Sequence, residues 1–84
     1  MNLLDTLARD GRETAVVGLG RSGVAAGALL RAHGVKVYAS ELATTATAEA
    51  WARGLRDAGA EVQLGGHDLA RIARAAAMVV APGV

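Results

Sequence analysis

The sequence predicts a single α/β domain of 84 residues, with a doubly wound parallel sheet of about four strands flanked by helices. Short runs rich in β-branched residues alternate along the chain with Ala- and Leu-rich stretches of helical length. A glycine-rich turn joins the first strand-like run to the helical stretch that follows it. Parallel strands need crossover connections, and the intervening helices supply them.

Each element follows from a local pattern. Leucines at helical spacing predict a short N-terminal helix over 2–9, and Gly11 is placed to end it. β-prone runs predict strands over 14–17, 35–39, 61–64 and 77–80. Helical patterns predict helices over 22–33, over 46–58 with Trp51 and Leu55 on one face, and from the N-cap Asp68 to about position 75.

Composition excludes several classes of protein. Nine Lys and Arg against eight Asp and Glu leave a net charge of +1, so we expect no nucleic acid or membrane partner. The absence of cysteine excludes a disulfide framework and a Cys-based zinc site. No apolar stretch reaches the roughly 18 residues of a membrane span, and the N-terminus lacks the pattern of a signal peptide. The sequence therefore predicts a cytoplasmic protein.

The most informative motif is G-x-G-x-x-G, which begins at Gly18 and ends at Gly23, between the first strand and the next helix. Its glycines permit a tight turn, close approach of a phosphate and close packing of helix and strand, while the helix N–H groups face the anion. Gly20, Arg21 and Ser22 are therefore candidate phosphate-binding residues. The alternatives are a plain turn, a solvated Arg21 and a helix-capping Ser22.

Two more features are predicted at the same edge of the sheet. Glu41 closes the second strand, where a carboxylate commonly binds a ribose, although an ordinary exposed charge is the alternative. Ala81, Pro82 and Gly83 follow the fourth strand, and the strand order 3-2-1-4 places them beside the glycine loop. Gly83 is a candidate N–H donor to the same phosphates, with a simple turn as the alternative.

The stretch around His67 is interpreted as a glycine-rich turn leading into a helix capped by Asp68. We do not assign His67 a catalytic role, because the other histidine, His33, is predicted at the far end of the first crossing helix. The sequence also lacks a Gly-Lys-Ser/Thr phosphate loop, a nucleophile–base pair and a metal cluster. It therefore predicts a chain that binds a nucleotide-like ligand without transforming it.

Three stretches carry a resemblance to a known family: VVGLGRSG at 16–23, LGGH at 64–67 and MVVAPGV at 78–84. In them the chain resembles the Mur ligases of peptidoglycan synthesis, in the branch that adds D-glutamate. The resemblance covers nearly the whole chain but only the N-terminal domain of such an enzyme. It implies that residues 1–84 are the first part of a three-domain ligase.

The resemblance also implies a function for the domain. It is expected to be Rossmann-like and to bind the UDP part of UDP-N-acetylmuramoyl-L-alanine, while the remaining domains bind ATP, Mg and the incoming amino acid. The ligation then proceeds through an acyl phosphate, and its catalytic groups lie beyond Val84. The chain alone is expected to be inactive and to bind neither a cofactor nor a metal.

The same resemblance assigns roles to individual residues. Arg21 and Ser22 flank the uridine and phosphates, Glu41 and Leu42 lie near the uracil, and Ala81 and Gly83 approach the diphosphate. The family usually has Asp at position 41 and Ser at position 81, so this chain carries a longer carboxylate and lacks one hydroxyl. Two other functions remain open from the residues alone. One is the NAD-binding half of an oxidoreductase, favoured by Glu41, and the other is a ligand-free regulatory or interaction module.

Overall fold

The computed structural model describes residues 2–81. These residues form four helices and four strands in strict alternation. In chain order they are α1 (Leu3–Asp10), β1 (Thr14–Val17), α2 (Gly20–Ala32), β2 (Val37–Glu41), α3 (Ala46–Asp57), β3 (Glu61–Leu64), α4 (Leu69–Arg74) and β4 (Ala77–Val80).

The four strands form one parallel sheet in the order β3-β2-β1-β4. β1 lies at its centre and pairs in parallel with both β2 and β4. The predicted fold class and the predicted strand order are both confirmed. Because the strands are parallel, their carboxyl ends meet at one edge of the sheet. The loops that follow β1, β2 and β3 leave from that edge, where β4 also ends.

The core lies between the sheet and helices α2 and α3. Val16 and Ala39, from the central strands, are fully buried there with Leu55 of α3. Gly27 lets the two helices approach each other, since a Cβ added at this position would lie 2.7 Å from Leu55 Cδ2. β1 and β2 are almost entirely buried, which explains why apolar residues follow one another in TAVV and at the start of VYASE instead of alternating with exposed polar ones.

Arg71 holds the short helix α4 against the other face of the sheet. Its guanidinium forms ion pairs with Glu13 and, at 2.8 Å, with Glu61, and lies 4.4 Å from the centre of the Tyr38 ring. The hydrogen bond to Glu13 raises the pKa of Arg71, and the same bond lowers the pKa of Glu13. An open polar depression of about 370 Å³ adjoins this cluster, but its Arg71 is already neutralised by the two carboxylates.

The starts of β2 and α2 each differ by two residues from the predicted ones. β2 covers Val37–Glu41 instead of 35–39, because Gly34 turns through a φ of 79° and the Val35 N–H donates to the Leu30 carbonyl at the end of α2. α2 begins at Gly20 instead of position 22, so the last four residues of the glycine motif already belong to the helix. No helix of residues 2–81 combines the length and the apolar character needed to cross a membrane.

Candidate functional site

The glycine loop between β1 and α2 has the backbone geometry that the motif predicts. Gly18 and Gly20 have φ angles of 90° and 86°, a region that residues with a side chain rarely adopt. A Cβ at Gly23 would overlap the carbonyl oxygen of Gly18. The first two glycines therefore make the turn, and the third lets the helix lie directly against it.

The N-terminus of α2 lacks the side-chain cap that the other helices have. Asn2, Thr45 and Asp68 cap α1, α3 and α4 with side-chain oxygens, whereas Leu19, at the N-cap of α2, has no side chain that could do so. The N–H groups of the first turn, at positions 20–22, therefore have no capping acceptor within the described chain. Such groups, with the helix dipole behind them, suit an anion.

Arg21 and Ser22 lie in this first turn and are both exposed. The N-cap of α2 is Leu19. Ser22 therefore does not cap this helix, which was one of the two roles that the sequence left open for it. The side chains of Arg21 and Ser22 therefore extend from the same helical turn as the uncapped N–H groups. Gly20 contributes its backbone to this turn.

Glu41, at the end of β2, binds the glycine loop. Its carboxylate accepts hydrogen bonds from the N–H of Ala43 at 2.9 Å and from that of Leu19 at 3.0 Å. These two bonds, the one from Ala43 first, lower the pKa of Glu41. An ordinary exposed charge does not describe this residue. A carboxylate has about four lone-pair positions, so Glu41 keeps acceptor capacity for a ligand.

The end of β4 reaches the same loop, as the strand order predicts. Ala81 is buried and donates its N–H to the Val17 carbonyl at 3.0 Å. A Cβ built at either Gly18 or Gly23 would lie 3.6 Å from its methyl carbon. Gly83, the other residue predicted at this point, lies outside the described residues. Leu42 follows Glu41 at the same edge, with 67% of its surface exposed.

The structure also reveals a contact that the sequence analysis missed. His67 Nδ1 lies 2.5 Å from the hydroxyl oxygen of Ser40, which is fully buried. The predicted turn is present, with Gly65 at a φ of 81° and Asp68 capping α4 through the Arg71 N–H at 3.0 Å. Ser40 is the residue of the sequence that could have revealed this contact, because a hydroxyl in a strand that is buried on both faces needs a hydrogen-bond partner.

Trp51, the only tryptophan of the chain, lies beside the glycine loop. A Cβ built at Gly20 would be 3.9 Å from its ring carbon Cη2. The indole is half-buried and packs against the core from α3. Its fluorescence is therefore suited to report changes at the loop.

Chemically, this edge of the sheet is equipped to bind a ligand. It joins an uncapped helix N-terminus, one arginine, one hydroxyl and one half-buried carboxylate. Residues 2–81 contain no group of three or more His, Asp and Glu side chains that could hold a metal ion. Fold and site together define a Rossmann-like α/β domain whose glycine loop leads into a helix N-terminus without a side-chain cap.

Known proteins with similar sequences are ligases. The chain is 47% identical over 79 residues to the UDP-N-acetylmuramoylalanine–D-glutamate ligase of Nitratidesulfovibrio vulgaris (strain DP4), a match that covers 90% of this chain. It is 38% identical over 74 residues to the ligase of the same name from Acidobacterium capsulatum and 37% over 75 residues to that of Desulfosudis oleivorans, matches that cover 88% and 89% of the chain. The resemblance to the Mur ligases is confirmed, because the chain is similar in sequence to ligases named for the addition of D-glutamate.

The matches leave most of each relative uncovered. The chain spans 18% of the length of the Nitratidesulfovibrio protein and 16% of each of the other two. No family model matches the chain, and no solved structure gives a significant match.

Proposed function

We propose that residues 1–84 are the N-terminal, UDP-binding domain of a ligase that adds D-glutamate to UDP-N-acetylmuramoyl-L-alanine. The observation that carries this proposal is the similarity to ligases of that name over 90% of the chain. The geometry of the carboxyl edge supports it, because an uncapped helix N-terminus suits a diphosphate and a carboxylate beside it suits a nucleoside.

In this proposal the diphosphate lies over the first turn of α2. The N–H groups of Gly20, Arg21 and Ser22 donate to it, with the Arg21 guanidinium and the Ser22 hydroxyl nearby, while Ala81 and Gly83 approach from the end of β4. Since the net charge of the chain is only +1, these local donors have to supply most of the attraction for the phosphates.

The nucleoside is assigned to the end of β2. Glu41 accepts hydrogen bonds from the ribose or uracil with its remaining lone pairs, and the exposed Leu42 side chain covers the base. Because Glu41 also fixes the Leu19 N–H, one carboxylate links the nucleoside end of the site to the glycine loop.

The remainder of the longer protein carries the ligation in this proposal. The chain spans 16–18% of the relatives, and the residues that would bind ATP, Mg and D-glutamate are assigned to the rest. There ATP would transfer its γ-phosphate to the muramoyl-alanine carboxylate and leave as ADP, and the amine of D-glutamate would attack the resulting acyl phosphate and displace inorganic phosphate. The part played by the present chain is to bind and orient the UDP end of the substrate for peptidoglycan precursor synthesis.

A titration tests this function. Adding UDP-N-acetylmuramoyl-L-alanine to the ¹⁵N-labelled chain is expected to shift the amide signals of Gly20, Arg21 and Ser22 and to change the emission of Trp51. NAD, the ligand expected of an oxidoreductase domain, is the comparison. Shifts with NAD alone, or no shifts with the UDP-sugar at millimolar concentration, would contradict the proposal.

Substitution of Arg21 gives a matched test of the same site. Arg21→Ala is expected to weaken binding of the UDP-sugar about ten- to hundredfold, because a charge-assisted hydrogen bond to phosphate is worth about 1.5–3 kcal/mol. Arg53→Ala, which removes an equal charge from the exposed surface of α3, is the control and is expected to leave affinity within about twofold. Equal losses in the two variants would indicate that only the overall charge matters.

A further inference from the structure

We propose that His67 is a positioning residue of this ligand site, which acts through the hydroxyl of Ser40 on the end of β2 and thereby on the glycine loop. The inference rests on the proposed function, since it names a residue that the UDP site depends on. It also revises the interpretation of the loop after β3, which the sequence predicts to be only a turn before a capped helix.

His67 is the hydrogen-bond partner of a buried serine. Ser40 is fully buried, and His67 Nδ1, at 2.5 Å, is the partner of its hydroxyl within residues 2–81. Removing the imidazole would leave a buried hydroxyl without a hydrogen bond, unless the strand end moved or water entered. The bond therefore links the loop after β3 to a particular conformation at the end of β2.

The end of β2 is hydrogen-bonded to the glycine loop. The carbonyl of Ser40 accepts the Gly18 N–H at 2.8 Å, and the carboxylate of Glu41 accepts the Leu19 N–H at 3.0 Å. Two consecutive residues of β2 thus hold two consecutive N–H groups that precede the uncapped turn of α2. A movement of Ser40 would therefore displace the groups that are proposed to bind the diphosphate.

The loop after β3 is also hydrogen-bonded to the backbone of β2. The Gly65 N–H donates to the Glu41 carbonyl at 2.8 Å, so the loop that carries His67 is bound to the backbone of β2 as well as to its Ser40 side chain. The loops after β1 and β3 are therefore both hydrogen-bonded to the last two residues of β2. Since Ser40 and Glu41 point to opposite faces of the sheet, His67 and the glycine loop constrain the strand end from both sides.

Three variants of His67 test the role. An asparagine side chain places its amide close to the position of Nδ1, whereas a glutamine reaches toward Nε2, and alanine reaches neither. We expect His67→Ala and His67→Gln to weaken binding of UDP-N-acetylmuramoyl-L-alanine about five- to tenfold, as for one lost hydrogen bond, and His67→Asn to remain within about twofold of the unmodified chain. Affinities are read from Trp51 emission well below the melting temperature of each variant.

Ser40 provides the matching half of a double-mutant cycle. Ser40→Ala is expected to weaken binding as much as His67→Ala, and the double variant no more than either single one, because both remove the same bond. Additive losses would show that the two residues act independently and would overturn the proposal.

Other outcomes would distinguish this positioning role from a merely structural role and from a direct contact with the ligand. A His67→Ala variant that melts earlier but binds with unchanged affinity would show a merely structural role. Binding retained by Gln and lost by Asn would show a direct ligand contact through Nε2. Either result would overturn the proposal.

The amide signals of the ligand-free chain provide a measurement that does not depend on the proposed function. In it, the amide signals of Gly18 and Leu19 are expected to move in His67→Ala and to return in His67→Asn. If the unmodified chain binds no UDP-sugar while these amides move and return, the proposed function fails and the positioning of the loop by His67 stands. If the amides do not move, the positioning role itself is wrong.

Discussion

Thr14, in the middle of the sheet, carries a polar group that the fold does not satisfy. Its side chain is fully buried, and its hydroxyl oxygen has no hydrogen-bond partner within residues 2–81. A buried, unpaired hydroxyl costs about 1–3 kcal/mol, which is a large part of the stability of a domain this small. Thr14 is therefore a position where a single substitution can stabilise the chain.

Thr14→Val is expected to raise the free energy of unfolding by about 1 kcal/mol, because valine has nearly the same shape and no hydroxyl to desolvate. For a domain of this size, the melting temperature would rise by about 4–8 °C. Urea unfolding measures the change. Ser40→Ala, which removes a buried hydroxyl that does have a partner, is the control and should lower stability instead. Destabilisation by Thr14→Val would mean that the hydroxyl finds a partner in solution.

Among the elements, the pairing of α2 with α3 depends on the lack of a side chain at Gly27. Leu55, which this position faces, is fully buried and has little room to move. Gly54, by contrast, is exposed on α3, and a Cβ there would meet nothing within 4 Å. The two glycines both lie inside helices and differ mainly in their surroundings.

Gly27→Ala is expected to lower the free energy of unfolding by about 1 kcal/mol or more. Alanine gains up to about 1 kcal/mol of helix propensity, but overpacking against Leu55 costs about 1–3 kcal/mol. Gly54→Ala, with the same chemical change in open space, is expected to stabilise the chain by about 0.5–1 kcal/mol. Denaturant titration of both variants gives the comparison. Equal stabilisation by the two would show that Leu55 rotates away at no cost.

The type and order of these elements were predictable because the signals are local. Trp51 and Leu55 lie on the core side of α3, as their spacing predicts, and Asp68 caps α4 as its residue type predicts. The start of β2 was predicted two residues too early. Val35 and Lys36 have strand-like side chains, but the N–H of Val35 closes the end of α2, and a backbone hydrogen bond of this kind leaves no mark on residue propensity.

For the molecule as a whole, two glutamates link stability to pH. Hydrogen bonding to Arg71 lowers the pKa of Glu13, and backbone N–H groups, that of Ala43 first, lower the pKa of Glu41. Both groups are more acidic in the folded chain than their ordinary value of 4.5. Their contribution to stability is therefore fully present above that value and is lost as the pH falls through the lowered folded-state pKa values.

The free energy of unfolding is accordingly expected to be nearly constant from neutral pH down to about pH 5 and to fall below that. Glu41→Gln should reduce stability at neutral pH and flatten the decline in acid, since it removes one of the two linked groups. Urea unfolding at a series of pH values measures both effects. The raised pKa of Arg71 has no influence in this range because its guanidinium stays charged throughout. An unchanged acid slope in Glu41→Gln would assign the linkage to Glu13 and other carboxylates.

The sequence by itself determined the fold class, the strand order, the glycine loop and the resemblance to the Mur ligases. All of these depend on patterns that are local or that follow from connecting parallel strands by helices. The assignment of Arg21, Ser22 and the other edge residues to a UDP site stays a prediction. So does the role of Gly83, which lies outside the described residues.

Only the tertiary structure decided how the side chains at this edge are used. Glu41 binds the N–H of Leu19, 22 positions away, and His67 binds Ser40 across 27 positions. Thr14 and Ser40 are both buried polar residues of central strands, yet within residues 2–81 the hydroxyl of Ser40 has a partner and that of Thr14 has none. These differences arise from which loops the folded sheet brings together, and contacts between residues so distant in the chain do not follow from local propensity or spacing.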